Sequence, residues 1–180
     1  MITTFQIPFM MWLQHAVLSV VSPSIIVFIA RYIPWIFLGG LVAIIMVDML
    51  RAVITRKYRM FQLSFWEIIF TFLIALIFQW AFKLLIPEPR PFLEGITPLY
   101  YYGWNESFPS GHTLVFTALA VMIHDRHKII GVIAVIIAFL IGIARVVVGI
   151  HYPLDIAVGA LLGLLIGHTV VRMVRRHYKK

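Results

Sequence analysis

The dominant pattern in this chain is a series of long apolar runs separated by short polar stretches. A helix needs about 20 mostly apolar residues to cross the hydrocarbon core of a bilayer. Six segments have this character, at approximately residues 8–30, 33–50, 64–85, 110–124, 129–148 and 154–172. The pattern predicts an all-α, polytopic membrane bundle of about six transmembrane helices, with residues 1–180 forming a single domain.

The first segment is the one most interrupted by polar residues and proline, namely Gln14, His15, Ser19, Ser22 and Pro23, with Arg31 close behind. It is therefore expected either to span the bilayer or to lie partly in its interface. It lacks the basic start and the small-residue cleavage site that a signal peptide carries. We expect it to remain in the mature protein.

Composition agrees with a membrane protein, because 62% of the residues are hydrophobic, only 12% are charged and the mean hydropathy is +1.00. Soluble domains are about half apolar and a quarter charged. Fifteen Lys and Arg residues outnumber seven Asp and Glu residues. In a membrane protein this excess indicates cytoplasmic loops and anionic lipid surfaces rather than nucleic acid. The sequence has no cysteine, which excludes disulfides, thiolate catalysis and cysteine metal sites.

The basic residues predict the orientation of the bundle. They concentrate in the connection 51–60, in the short turn near residue 126 and in the tail: Arg51, Arg56, Lys57, Arg59, Arg126, Lys128, Arg172, Arg175, Arg176, Lys179 and Lys180. Regions rich in Lys and Arg are normally cytoplasmic. The loop from about Ile86 to Pro109 and the turn around His151 should then face outward. With six crossings, both termini are expected on the cytoplasmic side.

Three polar groups, distant in sequence, fall at the outward ends of the predicted helices. They are Lys83 with Arg90-Pro91, then Pro109-Ser110-Gly111-His112, then Arg145 with His151 and Asp155. Singly, each has a simpler explanation, as a cation snorkelling from a helix end, a loop charge, a helix cap or an interfacial histidine. Jointly, so many ionisable groups beside a membrane are costly and indicate function.

The types of these residues suit a phosphate site. Lys83, Arg90 and Arg145 supply positive charge, and guanidinium groups match phosphate oxygens in pairs. Ser110 and Gly111 lie where a helix begins, so free backbone amides can point at an anion. Three neighbouring cations would repel one another without a bound dianion. The pattern therefore predicts a pocket that binds phosphate and the charge of a phosphoryl-transfer transition state.

Two histidines in the same groups are candidates for the chemistry. Asp155 follows His151 by four residues, so its carboxylate can hold one ring nitrogen and leave the other free to attack phosphorus. His112 can then serve as a general acid for the leaving oxygen and later as a base for water. Residue types and spacing alone do not establish which histidine attacks.

Taken in order, the three groups resemble the three-part motif of the type-2 phosphatidic acid phosphatases, which is similar to that of the vanadium haloperoxidases. The resemblance covers about residues 83–155, and every core position is filled. It implies a haloperoxidase-like active-site core, metal-independent hydrolysis and no cofactor. It also implies His151 as the nucleophile that forms a phosphohistidine, Asp155 as its orienter and His112 as the general acid. The implied phosphate ligands are Lys83, Arg90, Ser110, Gly111 and Arg145.

The small size and the stretch 88–92 followed by 108–110 resemble the bacterial undecaprenyl pyrophosphate phosphatases of this superfamily. This implies an enzyme of the cell membrane whose site faces outward and whose partners are its lipid substrate and membrane lipids; we infer no obligatory protein partner. Phosphatidylglycerophosphate, phosphatidic acid and lipid A phosphatases share the motifs and remain alternatives. A non-catalytic transporter or scaffold for lipid headgroups is an alternative of another class, although binding alone requires no oriented nucleophile. We do not expect haloperoxidase chemistry in a chain embedded in lipid.

The remaining polar and glycine residues have structural interpretations. Gly159, Gly163 and Gly167 recur every four residues and predict a groove for close helix packing. Asp48 and Glu67 are expected to pair with the basic loop 51–60. Gln79 is interpreted as a support for Lys83. The remaining histidines are interpreted as interfacial or packing residues: His15, His124, His127, His168 and His177. Tyr100, Tyr101, Tyr102 and Trp104 predict an aromatic anchor at headgroup level, with a wall that guides a lipid headgroup to the site as a further role.

Overall fold

The computed structural model describes residues 4–56 and 58–178, so Lys57, Lys179 and Lys180 of the expected cytoplasmic regions lie outside the described residues, as do the side chains of Arg59 and His177. The chain forms helices α1 (Ile7–Leu18), α2 (Pro23–Arg31), α3 (Ile33–Thr55), α4 (Tyr58–Leu85), α5 (Gly111–Arg126), α6 (Lys128–Val147) and α7 (Pro153–Tyr178). Short 3-10 turns lie at Thr4–Gln6 and Pro91–Leu93. The predicted all-α membrane bundle is confirmed.

The number of crossings differs from the six expected. Within the described residues, four stretches are long and apolar enough to cross a membrane: Ile33–Thr55, Phe65–Leu85, Lys128–Val147 and Pro153–Arg176. Helix α5 has 16 residues and is therefore about 24 Å long, against a hydrocarbon core of about 30 Å. The count of six is not confirmed, because the first predicted segment is not one straight helix.

That first segment, residues 8–30, is divided between α1 and α2, whose axes are bent by 115°. The two pieces are about 18 and 14 Å long at 1.5 Å per residue, so neither alone spans the bilayer. Ser22 and Pro23 lie at the break, where proline begins the second helix. Residues 8–30 therefore do not form one straight helix, and the bent pair is either a broken span or a segment that enters and leaves at one side.

Helices α1 and α2 both pack at the end of the bundle where α6 ends and α7 begins. Met10 of α1 clusters with Val146 and Ile156, and Ile26 and Ala30 of α2 cluster with Ala144 and with residues 147–150. The Gln14 side chain donates hydrogen bonds to the carbonyls of Thr97 (3.1 Å) and Val147 (2.9 Å). The pair thus braces the α6–α7 turn.

Helix α5 is the centre of the bundle, and its residues from Gly111 to Ile123 are almost all buried. It is in especially close contact with α7. A Cβ atom added at Gly159, Gly163 or Gly167 would lie 2.8, 2.5 or 2.8 Å from a backbone carbonyl oxygen of α5 or of Ser110, which directly precedes it. The predicted groove for close helix packing is confirmed, and it brings the start of α7 next to the start of α5.

The opposite end of the bundle contains ion pairs. Glu67 of α4 pairs with Arg126, and Asp48 of α3 lies 3.4 Å from the Nε2 atom of His127. The expectation that these two carboxylates are paired is confirmed. Among the described residues their partners come from the α5–α6 turn, however, and not from the loop 51–60. Both partners, Arg126 and His127, come from the connection between α5 and α6, which lies far from these carboxylates in sequence.

Candidate active site

The three predicted polar groups surround one cavity of about 290 Å³ at the end of the bundle that α1 and α2 brace. Six of the eight predicted site residues line it: Lys83, Arg90, Gly111, His112, Arg145 and His151. Ser110 and Asp155 are fully buried behind its wall. Close packing of α5 on α7 explains the convergence, since it joins the second and third groups.

His151 and Asp155 form a buried pair. The Nδ1 atom of His151 is 3.2 Å from Oδ2 of Asp155, and their side chains are 3% and 0% exposed. The same carboxylate oxygen accepts a hydrogen bond from the backbone N–H of Tyr152 at 2.9 Å. Pro153 begins α7, so Asp155 lies in the first turn and faces back toward the preceding residues. The carboxylate is therefore held by the turn that presents His151.

The tautomer of His151 follows from its two partners. Its Nε2 atom is 3.3 Å from Nη1 of Arg90. Since a guanidinium can only donate, Nε2 must present its lone pair, and the ring proton then belongs on Nδ1, facing Asp155. Burial, followed by the charges of Arg90 and Arg145, holds the pKa of His151 well below its usual 6.5. The ring is neutral, with an unprotonated nitrogen at the cavity.

Arg90 is fixed by backbone carbonyls. Its side chain is buried and donates to the carbonyl oxygens of Trp104 (2.5 Å) and Ile150 (2.6 Å). Burial, and next the charge of Arg145, lower the pKa of Arg90 to about 10. It stays protonated at neutral pH. The position of a cation here is thus set by loop backbone rather than by a carboxylate.

Arg145 has unused hydrogen-bonding capacity. It is 2% exposed, and its Nη1 atom donates to the carbonyl of Ala30 at 3.2 Å. Its Nε and Nη2 atoms are buried and have no partner among the described residues. Buried donors without a partner are costly, most of all on a charged group. Because Arg145 lines the cavity, an anion there would satisfy both atoms at once.

The start of α5 contributes backbone amides. Ser110 precedes the helix, and its own N–H donates to the carbonyl of Asp155 at 3.1 Å. Its hydroxyl oxygen accepts a hydrogen bond from Thr113 at 3.1 Å. The first amides of a helix have no partner within it, so those of Gly111 and His112 are available at the cavity wall. The side chain of Ser110 is placed to support this helix start, and its role as a phosphate ligand stays a prediction.

Lys83 and Gln79 complete the α4 wall of the cavity. The Nζ atom of Lys83 donates to the carbonyl of Glu106 at 2.8 Å. Gln79 lies across Gly111, and its carboxamide occupies the space that a Cβ atom there would need. Gln79 therefore packs against the α5 helix start, and its support of Lys83 stays a prediction. A side chain at position 111 would require the Gln79 carboxamide to move.

The contacts of Tyr102 with the site are not visible in the sequence. The aromatic cluster at residues 100–104 predicts an interfacial anchor or a wall that guides a headgroup, whereas the ring of Tyr102 lines the cavity directly beside Arg90 and Arg145. No local pattern distinguishes it from Tyr100 and Tyr101. Its place depends on the path of the loop 94–106, which sequence spacing does not reveal.

The sequence profile of the family described as "PAP2 superfamily" matches residues 64–179. The chain belongs to the PAP2 superfamily, and its helical architecture is that of the membrane members. It is 41% identical over 78 residues to "Bacitracin transport permease protein BcrC" of Bacillus licheniformis, covering 43% of this chain and 38% of that protein. It is 32% identical over 99 residues to "Undecaprenyl-diphosphatase BcrC" of Bacillus subtilis, covering 54% and 51%.

These matches cover about half or less of each curated relative. Similarity to a solved structure is more extensive. The crystal structure of LpxE from Aquifex aeolicus aligns with a TM-score of 0.67 and 26% identity, over 90% of this chain and 94% of that one. The resemblance to the type-2 phosphatidic acid phosphatases inferred from the three motifs is thus confirmed at the level of the family.

Proposed function

We propose that residues 1–180 act as one domain that hydrolyses a membrane lipid phosphate or diphosphate through a phosphohistidine at His151. One observation carries the proposal. His151, whose Nε2 atom is unprotonated, and Arg145, which has two buried donors without a partner among the described residues, line the same cavity. A nucleophile beside cations that can bind an anion is the arrangement that phosphoryl transfer needs.

The first step is attack by Nε2 of His151 on phosphorus. The N–P bond forms as the bond from phosphorus to the leaving oxygen breaks, and His112, which enters this step protonated, gives its proton to that oxygen. Asp155 accepts a hydrogen bond from the Nδ1–H of His151 and stabilises the positive charge that develops on the ring. In the second step the now neutral His112 takes a proton from water, and the oxygen of that water attacks phosphorus as the N–P bond breaks, which releases inorganic phosphate and neutral His151.

Charge stabilisation comes from residues that are in place before the substrate arrives. Arg90 and Arg145 are buried, and Lys83 and the amides of Gly111 and His112 face the same space. In a site with little water such donors stabilise the equatorial oxygens of the transition state strongly. Among the described residues no three His, Asp or Glu side chains are grouped to hold a metal ion. Metal independence remains a proposal, tested below with a chelator.

The shape of the cavity supports a lipid substrate. Its polar end carries His151, while Leu38, Phe72, Leu76 and Phe116 line the part between α3, α4 and α5. A phosphate headgroup can occupy the polar end while its chain follows this apolar wall into the bilayer. Undecaprenyl diphosphate is the favoured substrate because the relatives include an undecaprenyl-diphosphatase. Phosphatidylglycerophosphate, phosphatidic acid and lipid A stay alternatives.

A non-catalytic headgroup transporter is the second candidate, favoured by the word "transport" in the name of the Bacillus licheniformis relative. Such a protein would use Lys83, Arg90 and Arg145 to bind phosphate. It would have no need of a histidine whose tautomer is set by a buried carboxylate. The geometry of His151 and Asp155 therefore supports the enzyme.

We propose that the cavity faces outward and that the cytoplasmic side is the end with Arg126 and Arg175, following the distribution of basic loops. In the clusters and hydrogen bonds described above, the α1–α2 pair contacts the cavity end of the bundle, namely the adjoining ends of α6 and α7 and the loop at Thr97. We therefore replace the expectation of six crossings and two cytoplasmic termini. In the revised topology α3 to α7 cross the membrane, while α1 and α2 lie at its outer face.

The test is phosphate release by the purified protein in detergent with EDTA. Undecaprenyl diphosphate, phosphatidylglycerophosphate, phosphatidic acid and lipid A are compared, with His151→Ala as the control. We expect release that EDTA does not reduce and that His151→Ala abolishes. Release restored by a divalent ion would contradict metal independence. Binding of these lipids without release from any of them would favour the transporter.

A further inference from the structure

The ring of Tyr102 lies between the two buried arginines of the cavity. The Cζ atom of Arg90 is 4.4 Å from its centroid, and that of Arg145 is 5.2 Å away. Both distances are within the range in which an aromatic face attracts a cation. Tyr102 is also part of the cavity wall. One ring therefore contacts both guanidiniums that are expected to bind phosphate.

This contact answers an electrostatic problem posed by the two buried arginines. Arg90 and Arg145 are each 2% exposed, and neither forms an ion pair with a carboxylate among the described residues. Two like charges buried together repel each other strongly, because water does not screen them. The electron-rich face of an aromatic ring is the contact here that attracts both without adding a negative charge that would compete with phosphate.

We propose that Tyr102 is a positioning residue, whose ring holds Arg90 and Arg145 at the spacing that a phosphate group requires. This inference rests on the proposed function, because the anion it prepares for is the phosphate of the substrate. The ring acts through the arginines and touches no reacting atom in the proposed steps. Its aromatic face, rather than its hydroxyl, carries the effect.

The variants separate the contributions of the aromatic ring, the hydroxyl group and the apolar packing of Tyr102. Tyr102→Phe keeps the aromatic face, whereas Tyr102→Leu and Tyr102→Met remove it and keep an apolar side chain. Tyr101→Leu is the matched control, since Tyr101 is the adjacent residue and its side chain is 87% exposed. Having two non-aromatic variants keeps the test usable if one of them fails to fold.

Two measurements are made on the full chain in detergent with EDTA. The first is kcat and KM for undecaprenyl diphosphate, and the second is the binding of inorganic phosphate by calorimetry. We expect Tyr102→Leu and Tyr102→Met to lower kcat/KM and phosphate affinity by about tenfold or more, on the scale of a desolvated cation–π contact. Tyr102→Phe should restore most of both, and Tyr101→Leu should match the wild type.

A double variant tests whether the ring acts through the arginines. When Arg145→Gln has removed one of the two like charges, Tyr102→Leu should reduce phosphate affinity by a much smaller factor than in the wild type. An equal factor in both backgrounds would overturn the proposal. So would wild-type behaviour of Tyr102→Leu, or an equal loss in Tyr102→Phe.

The two measurements, phosphate release from lipid and binding of inorganic phosphate, distinguish this inference from the proposed function. A wild type that binds phosphate but releases none from any lipid would contradict the enzyme, and the phosphate arm would still test Tyr102. A wild type that releases phosphate, with Tyr102→Leu unimpaired in both arms, would contradict the inference alone. A wild type that neither binds nor releases phosphate would overturn both.

Discussion

The two ends of the bundle each contain a histidine beside an aspartate, and the pairs differ in their surroundings. At the cavity, His151 and Asp155 are 3.2 Å apart and at most 3% exposed. At the other end, His127 and Asp48 are 3.4 Å apart, with side chains 24% and 20% exposed. The first pair is closed off from water and its free nitrogen faces a cavity. The same two residue types therefore make a buried pair at a cavity at one end and a surface contact at the other.

The arginines differ in the same way. Arg126 and Arg175 pair with Glu67 and Asp125 at the end of the bundle opposite the cavity. Arg90 and Arg145 instead contact backbone carbonyls and the ring of Tyr102. A cation that is neutralised by a carboxylate stabilises the fold, whereas cations left without one create a site for an anion. Ion pairing, more than residue type, separates structure from function in this chain.

The largest effect is expected from removing one charge of the buried pair. Asp155→Asn keeps the size of the side chain but cannot stabilise the positive charge that develops on His151. We expect kcat to fall by about 10⁴-fold, as in triads with a misoriented histidine. Asp48→Asn is the matched control at the other end, and its rate should stay within about twofold, since partly exposed pairs contribute little.

Phosphate release from undecaprenyl diphosphate measures both variants. If Asp155→Asn retained the wild-type rate, Asp155 would only cap the first turn of α7. A comparable loss in Asp48→Asn would remove the distinction between the two pairs.

The second comparison replaces one arginine at each end. Arg145→Gln should lower kcat/KM by about 10²- to 10³-fold, because an electrostatic donor to the transition state is lost. Its thermal stability should be unchanged or higher, since a buried charge without a carboxylate has been removed. Arg126→Gln should leave the rate per folded molecule near that of the wild type and lower stability by a few kcal/mol, because Glu67, 2% exposed, loses its partner.

Activity and the thermal unfolding midpoint are measured on the same preparations. Arg145→Gln should lose activity and keep its stability, whereas Arg126→Gln should lose stability and keep its activity. Loss of stability in Arg145→Gln without loss of activity would show that this arginine is a structural residue.

The last prediction concerns the side of the membrane on which each end of the chain lies. Single cysteine substitutions test it without altering the site, so the effect on activity should be the smallest of all. The chain has no cysteine of its own, so Phe5→Cys, Tyr101→Cys and Arg176→Cys can each be labelled specifically. Phe5 and Tyr101 are 75% and 87% exposed. A membrane-impermeant maleimide applied to intact cells should label both of these positions, and label Arg176→Cys only after permeabilisation. Labelling of Phe5→Cys only after permeabilisation would restore the topology with a cytoplasmic N-terminus.

Much of the site could be predicted from the sequence because its chemistry is local. The spacing of four between His151 and Asp155 brings the two side chains together across one helical turn. The repeat of Gly159, Gly163 and Gly167 indicated the close packing that joins α7 to α5. Cationic residues at helix ends are also visible as departures from an apolar background.

What could not be predicted depends on contacts between distant segments. The bend between α1 and α2 arises where Ser22 and Pro23 interrupt an apolar run, and only packing against α6 shows that the two pieces stay at one end. The partners of Asp48 and Glu67 are on another helix pair. Tyr102 has the same local sequence as its neighbours, and its contact with the two arginines follows from the fold of a loop.

The most direct test of the central claim is to trap the phosphorylated enzyme. Undecaprenyl diphosphate labelled with ³²P at the terminal phosphate is mixed with the purified protein and EDTA, and the reaction is quenched within milliseconds in alkali. We predict a protein-bound label that is stable in alkali, labile in acid, located on the peptide containing His151 and missing in His151→Ala. Rapid release of phosphate with no label on that peptide, or with an undiminished label in His151→Ala, would contradict a phosphohistidine at this residue.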